Sequence, residues 1–344
     1  MKKRLAAAAL CAAFAAAPTH AAVTWSFDYL DAVGVGFNDI AAGAARRGEL
    51  QSAANYVSTF LTSYTANIFM SVDGSGNTPG NLASASSNFN ASRPANGFND
   101  RGDVMLKILG GDAADPAVGT ADGTVKWNFA TNNWALGNTF QPGEYDFFST
   151  AVHELVHALG FAAGIAENGN DGFGDVPGTA GVWSPFSQFL TSYNGTPFID
   201  QTTYILDKVI YDQARLSADG NGLSGCGAGT LFNGPNAVAA NGGVAPQIYA
   251  PTTWEDGSSG SHLDDNCYTA PNTVSTYMME AQTISGLGVR TITALEVGMM
   301  RDIGYTQFGV QTQPPGGTVP EPSSVLLLLG SLGLLGAARR RKAA

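Results

Sequence analysis

The chain has 344 residues, with 17 Lys and Arg against 28 Asp and Glu and a formal net charge of −11. Seven of those basic residues (Lys2, Lys3, Arg4, Arg339, Arg340, Arg341 and Lys342) and one acid (Glu321) sit in two atypical ends, leaving ten bases against 27 acids in the body. So acidic a body argues against nucleic acid or an anionic membrane as partner, and its size admits one large domain or two subdomains sharing a cleft.

Residues 1–21, "MKKRLAAAALCAAFAAAPTHA", join a basic start, an apolar run and small residues, the pattern of a secretory signal peptide. In "ARRGELQSAANYVSTFLTSY" the apolar positions Leu50, Ala53, Ala54, Val57, Leu61 and Tyr64 recur at three- and four-residue steps, which predicts an amphipathic helix. "NIFMSV" alternates Ile68, Met70 and Val72 as a strand does, and a polar, glycine-rich loop follows. "DVMLKIL" reads as a second strand, and "TVKWNFA" alternates Val125, Trp127 and Phe129 as a third.

A second helix is expected from Phe147 or Ser149 to Gly160, because glycine past a helix end takes the left-handed conformation without steric cost. From Phe161 to about residue 260 the chain is rich in Gly, Asn, Ser, Asp and Pro, with short apolar pieces such as "PFSQFL" and "TTYILDKVIYDQARL". "TITALEVGMMRDIGY" predicts a terminal helix packed through Ile292, Leu295, Val297, Met299 or Met300, and Ile303, and ended by Gly304. Beyond residue 312, a Pro/Gly-rich linker leads to Pro320-Glu321-Pro322, an apolar run of about sixteen residues and a basic cluster. That run is marginal for a span, which needs about 20 residues, so it reads as a short tail anchor. The three parts in order closely resemble the PEP-CTERM sorting signal. The resemblance implies a Gram-negative envelope, an exosortase as processing partner, and delivery to the cell surface or exterior.

The second helix carries "HELVH". Residues four apart lie on one helical face, so His153 and His157 can point two imidazoles at one ion. Glu154 is rotated by about 100° from the first histidine and can reach a water without being a ligand. That is the arrangement of metal-assisted hydrolysis, with zinc as the expected ion and Glu154 as general base. A third histidine six residues on would complete a compact motif, but Ala163 stands there. Of four histidines, His20 leaves with the signal peptide, so a histidine third ligand must be His262. A glutamate third ligand, as in gluzincins, leaves Glu296, Glu280 and Glu255 as candidates.

Without Cys11 the exported chain keeps Cys226 and Cys267, an even pair most simply read as a disulfide. Closing that loop would stabilise the fold by about 4 kcal/mol in the chain-entropy model. The rival reading makes Cys267 a metal-binding or inhibitory thiol. "NGNDGFGD" puts Asn170, Asp171 and Asp175 in a glycine-rich loop with the oxygen ligands calcium takes, without the full EF-hand pattern, so a solvated loop is the competing reading.

The order "HELVHALGF", a long insertion, "SHLDD", "TYMMEA" and "ALEVGMMRDIGY" resembles the leishmanolysin-like branch of the metzincin metallopeptidases. The resemblance implies zinc ligands His153, His157 and His262, general base Glu154, turn glycine Gly160, and Met278 as the methionine flooring the site, with Met279 as its alternative. It implies an α+β zincin fold: a mixed, twisted sheet and the motif helix in residues 22–160, and a loop-rich subdomain with a terminal helix in residues 161–312, followed by the linker and sorting tail in residues 313–344. One strand before the motif helix should be the edge on which zincins bind an extended peptide. The expected activity is that of a secreted zinc endopeptidase, with a non-catalytic adhesion protein on the same fold as the rival. No pro-domain with a cysteine switch is recognisable, and the low cysteine content departs from the eukaryotic members.

Overall fold

The computed structural model describes residues 23–310, apart from 76–79, 90–91, 217–228, 269–276 and 287. The expected signal peptide and sorting tail lie outside the described residues, as does Cys226. The fold is mixed, with helices and both parallel and antiparallel strand pairs, and is compatible with the expected α+β class.

Strand β1 (Val23–Tyr29) turns Val23 and Trp25 inward and Thr24 and Ser26 outward, the two-residue period of a half-buried strand. Helix α1 (Gly43–Ser58) follows and buries Leu50, Ala53, Ala54 and Val57 along one face. The chain then returns as β2 (Ala66–Asp73), parallel to β1, with Ile68, Met70 and Val72 buried. β3 (Ala83–Ser87) and β4 (Gly123–Trp127) complete a four-stranded sheet in the order β1-β2-β4-β3. β4 runs parallel to β2, whereas β3 runs antiparallel to β4 and forms one edge of the sheet.

"DVMLKIL" is not a strand but helix α2 (Asp103–Gly110). A short apolar run fits either period, and its ends decide here. Asp103 sits in the first turn, Asn88 O accepts from Asp103 N at 2.8 Å, Ser87 Oγ accepts from Val104 N at 3.0 Å, and Gly111 with φ +78° ends the run. Lys107, buried on this helix, ion-pairs with Asp115 at 3.2 Å and Asp122 at 3.0 Å. A strand would have directed it elsewhere.

Two short parallel strands, β5 (Asn133–Ala135) and β6 (Glu144–Asp146), lead into helix α3 (Phe147–Ala158), which carries the histidine motif and packs on α1 and β3. At its start Phe147 stacks on Trp127 with ring centroids 4.1 Å apart, and Phe37, Phe129 and Trp134 close the cluster. Its end falls where expected: Gly160 has φ +104° and donates to His157 O at 2.9 Å.

The insertion after Gly160 is more ordered than its composition predicts. It contributes a small antiparallel sheet, β7 (Leu190–Ser192), β8 (Thr230–Phe232) and β9 (Gln247–Ile248), in that order. It also forms α4 (Lys208–Arg215), capped by Asp207, and the short α5 (Pro235–Ala240). A short α6 (Asp265–Tyr268) and the terminal helix α7 (Ala294–Asp302) follow. α5 lies so close to α7 that a Cβ on Gly298 would come within 2.7 Å of Asn236 O. The expected helical sequence around Ile292 to Ile303 is helical only from Ala294, because the Thr293 capping box starts the helix there.

One contact locks the late sequence to the start of the motif helix. Asp146, fully buried, accepts from Phe148 N at 3.1 Å as N-cap of α3, and the Arg290 guanidinium donates to its two oxygens at 2.8 and 2.7 Å. Arg290 also reaches Gly137 O and Asn138 Oδ1 and lies over the Phe148 ring at 5.0 Å. Arg290 is itself partly exposed, but removing it leaves the fully buried Asp146 carboxylate without its counter-charge. Arg290→Ala is expected to cost about 1–3 kcal/mol, read as a lower urea midpoint with an unchanged slope.

Candidate metal centre

Helix α3 presents His153 and His157 one turn apart, as their spacing requires. His262 arrives from the far side of the insertion along a built path. Leu263 bridges to Ile248 of β9 on one side and to Glu280 on the other, and Tyr249 N donates to His262 O at 2.8 Å. The preceding turn is tied by Ser258 N and Ser259 N, which donate to Glu255 O at 3.1 and 2.9 Å. Ala163, where a compact motif has its third histidine, donates its N–H to Ser261 Oγ at 3.0 Å. The loop that delivers the distant histidine packs on the position that lacks one.

The three Nε2 atoms form a near-equilateral triangle: His153 to His157 is 3.0 Å, His153 to His262 3.1 Å, and His157 to His262 2.9 Å. Each Nδ1 faces a backbone carbonyl, Met278 O at 2.7 Å from His153, Phe161 O at 2.6 Å from His157 and Ser258 O at 2.9 Å from His262. A carbonyl oxygen only accepts, so each Nδ1 carries the proton and each Nε2 turns a lone pair inward. Burial holds all three imidazoles neutral, lowering His153 to about 4, His262 to about 3 and His157 well below its ordinary value. Three neutral nitrogens whose lone pairs converge at this distance repel one another unless a cation lies among them, and backing by carbonyls is how ligating histidines are oriented. Among the described residues this is the one group of three or more His, Cys, Asp or Glu side chains that could hold an ion together.

Glu154 lines the same cleft, which encloses about 660 Å³ between β3, the motif helix and the 255–262 loop. Burial raises its carboxyl to about 8 against the opposing pull of the Ala85 N–H of β3. Asn128 N donates to Leu82 O and Asn88 N to Asp122 O on the β4 side. By the two-residue alternation, Ala83, Ala85 and Ser87 therefore turn their backbone groups to the open edge.

The glutamate alternative does not match this geometry. Glu296, fully buried, accepts from Met279 N and Thr293 N, both at 2.7 Å, and burial pushes it up to about 7. Glu280 accepts from Tyr277 N at 3.0 Å and Glu255 from the Tyr249 hydroxyl at 2.9 Å. Met278 lies against the site through its carbonyl, with Met279 fully buried beside it. Cys267 is disulfide-bonded, which removes the free-thiol reading. In the loop considered for calcium, Asp171 is occupied by N–H groups of Phe173, Asp175 and Val182, and Asp175 pairs with Arg93. These carboxylates hold the turn.

Residues 318–342 match the PEP-CTERM protein-sorting motif. The protein is thus exported and sorted, through an exosortase-type enzyme of Gram-negative cells, to the cell surface or exterior. No curated protein matches the chain significantly. Among the described residues no helix is long and apolar enough to cross a membrane.

Two outcomes follow from this geometry. His262→Ala is expected to abolish stoichiometric zinc binding while Glu296→Gln still takes up one zinc per chain, read by metal analysis after dialysis. In chelated protein the unfolded chain protonates its imidazoles from about pH 6.5 downward, while the folded site resists until about 4 or below, so these groups lower stability as pH falls through that window. Raised carboxylates such as Glu296 act oppositely, losing their contribution as pH rises toward 7. The thermal midpoint of His262→Gln should therefore gain on wild type between pH 7 and 5.

Proposed function

We propose that this protein is an exported zinc-dependent endopeptidase with a zincin fold of the leishmanolysin-like metzincin type. One observation carries the reading: three carbonyl-backed histidines converge their Nε2 atoms in the cleft that Glu154 lines. Three protein ligands with room left for water is the ligand set of a catalytic zinc site. The separation of 105 residues between His157 and His262, the left-handed Gly160 and the Met278 carbonyl behind His153 support the metzincin type.

When bound, zinc would polarise the scissile carbonyl and lower the pKa of water toward neutrality. The rest falls to the chain's own residues. Glu154 takes a proton from the attacking water at a carboxylate oxygen and returns it to the amide nitrogen as the C–N bond breaks. The open edge of β3 offers an extended peptide a partner strand, one of the recurring ways to hold a polypeptide straight across a cleft.

Purified mature protein is expected to cleave unfolded casein in a chelator-sensitive manner. Glu154→Gln should retain zinc and lose about 10²–10⁴-fold in rate, the usual worth of a general base. Absence of chelator-sensitive cleavage, or equal cleavage by the variant, would remove the enzyme reading and leave a non-catalytic surface protein.

A further inference from the structure

We propose that Glu296 is a positioning residue for the histidine site, holding the Met278–Met279 peptide so that its carbonyl stays aimed at His153. The inference rests on the metal reading above and adds to it a residue 143 positions away from His153, on another helix.

Glu296 is the third residue of the nine-residue helix α7 and belongs to a capping box, in which Thr293 Oγ1 accepts from Glu296 N and the Glu296 carboxylate accepts from Thr293 N. A capping box needs only one side-chain oxygen of its glutamate, since glutamine serves in that position as well. Here the residue is fully buried, and Oε1 crosses to another segment and accepts from Met279 N at 2.7 Å. The N–H of Met279 and the C=O of Met278 belong to one peptide group, which is planar and rigid, with the two bonds pointing in opposite directions. The C=O end accepts from His153 Nδ1 at 2.7 Å. Glu296 and His153 therefore grip the two ends of the same plate, and turning it would break both bonds.

This arrangement does two things for the imidazole. It fixes the tautomer, because a carbonyl held toward Nδ1 keeps the proton there and leaves Nε2 free to ligate. It also makes that carbonyl a stronger acceptor, because a carboxylate on the N–H polarises the peptide and hydrogen bonds in series reinforce one another. Behind His157 and His262 the corresponding peptide N–H groups go to backbone carbonyls, Ala162 N to Gly160 O and Ser259 N to Glu255 O, both at 2.9 Å. Glutamine at position 296 keeps one accepting oxygen for the N–H groups of Thr293 and of the Met278–Met279 segment, since its amide nitrogen donates.

The test is zinc affinity by chelator competition, measured on the mature protein independently of any peptide cleavage. Glu296→Gln should bind one zinc about 10–100-fold more weakly than wild type, the usual loss when a partner behind a ligand is removed. Thr293→Ala, which damages the cap but leaves the Met279 contact, should lower the melting temperature and change affinity less than threefold. If Glu296→Gln does not fold, Glu296→Asp replaces it, being too short to span both N–H groups, and the same weakening is expected. Unchanged affinity in the Glu296 variant, or equal weakening by Thr293→Ala, would make Glu296 a helix cap only. Wild type that binds no zinc would overturn the metal reading itself.

Discussion

Everything in this fold converges on three nitrogen lone pairs that point at one another. Neutral imidazoles avoid that arrangement in isolation, so each ring has to be restrained from behind, and the triangle they form could hold a metal ion. The restraint comes from three separate places: the turn after the motif helix at Phe161, the serine-rich loop at Ser258 and the methionine segment at Met278. None of these carbonyls could be offered if the backbone around it were regular, because a helix or a paired strand would already have used it. The irregular stretches after Gly160 are thus part of the site.

The long insertion earns its length by geometry. β9 and the bridge from Leu263 to Ile248 and Glu280 carry His262 to the motif helix, and the Ser261 hydroxyl meets the Ala163 amide where a compact motif would have placed its own ligand. The terminal helix closes the arrangement from behind. Tyr305 donates to Leu159 O at 2.7 Å and so satisfies a carbonyl at the end of α3, while Asp302 accepts from Asn236 N and Ala237 N at the start of α5. The first residues of the motif helix are held by Arg290 and its last residues by Tyr305, which leaves the stretch that bears the histidines little freedom to tilt.

The side chains of the site were legible because spacing and counting were enough: four residues make a helical face, and one histidine remained for the third corner. The first helix, the strands at Ala66–Asp73 and Gly123–Trp127, and the glycine stop at Gly160 were legible for similar local reasons. Residues 103–109 were not. A short stretch whose only charges are Asp103 and Lys107 fits either period, and the helix was decided by contacts from Ser87 and Asn88 and by the burial of Lys107 between Asp115 and Asp122. The polar insertion likewise gave little sign of its three-stranded sheet, whose strands are only two or three residues long.

By itself the sequence determined the sorting tail, the helix that bears His153, Glu154 and His157, and His262 as the candidate for a third histidine. Export follows from the matched sorting tail alone, since such a signal is read as a linear string. Only the tertiary structure decided how His262 reaches the helix, which carbonyl backs each ring, that β3 is the sheet edge at the cleft, and that Glu296 holds the peptide behind His153 instead of competing as a ligand. The physical reason is that every residue carries a carbonyl and an amide. No side-chain pattern marks which of them will be left unpaired and aimed at a site formed by segments more than a hundred residues apart.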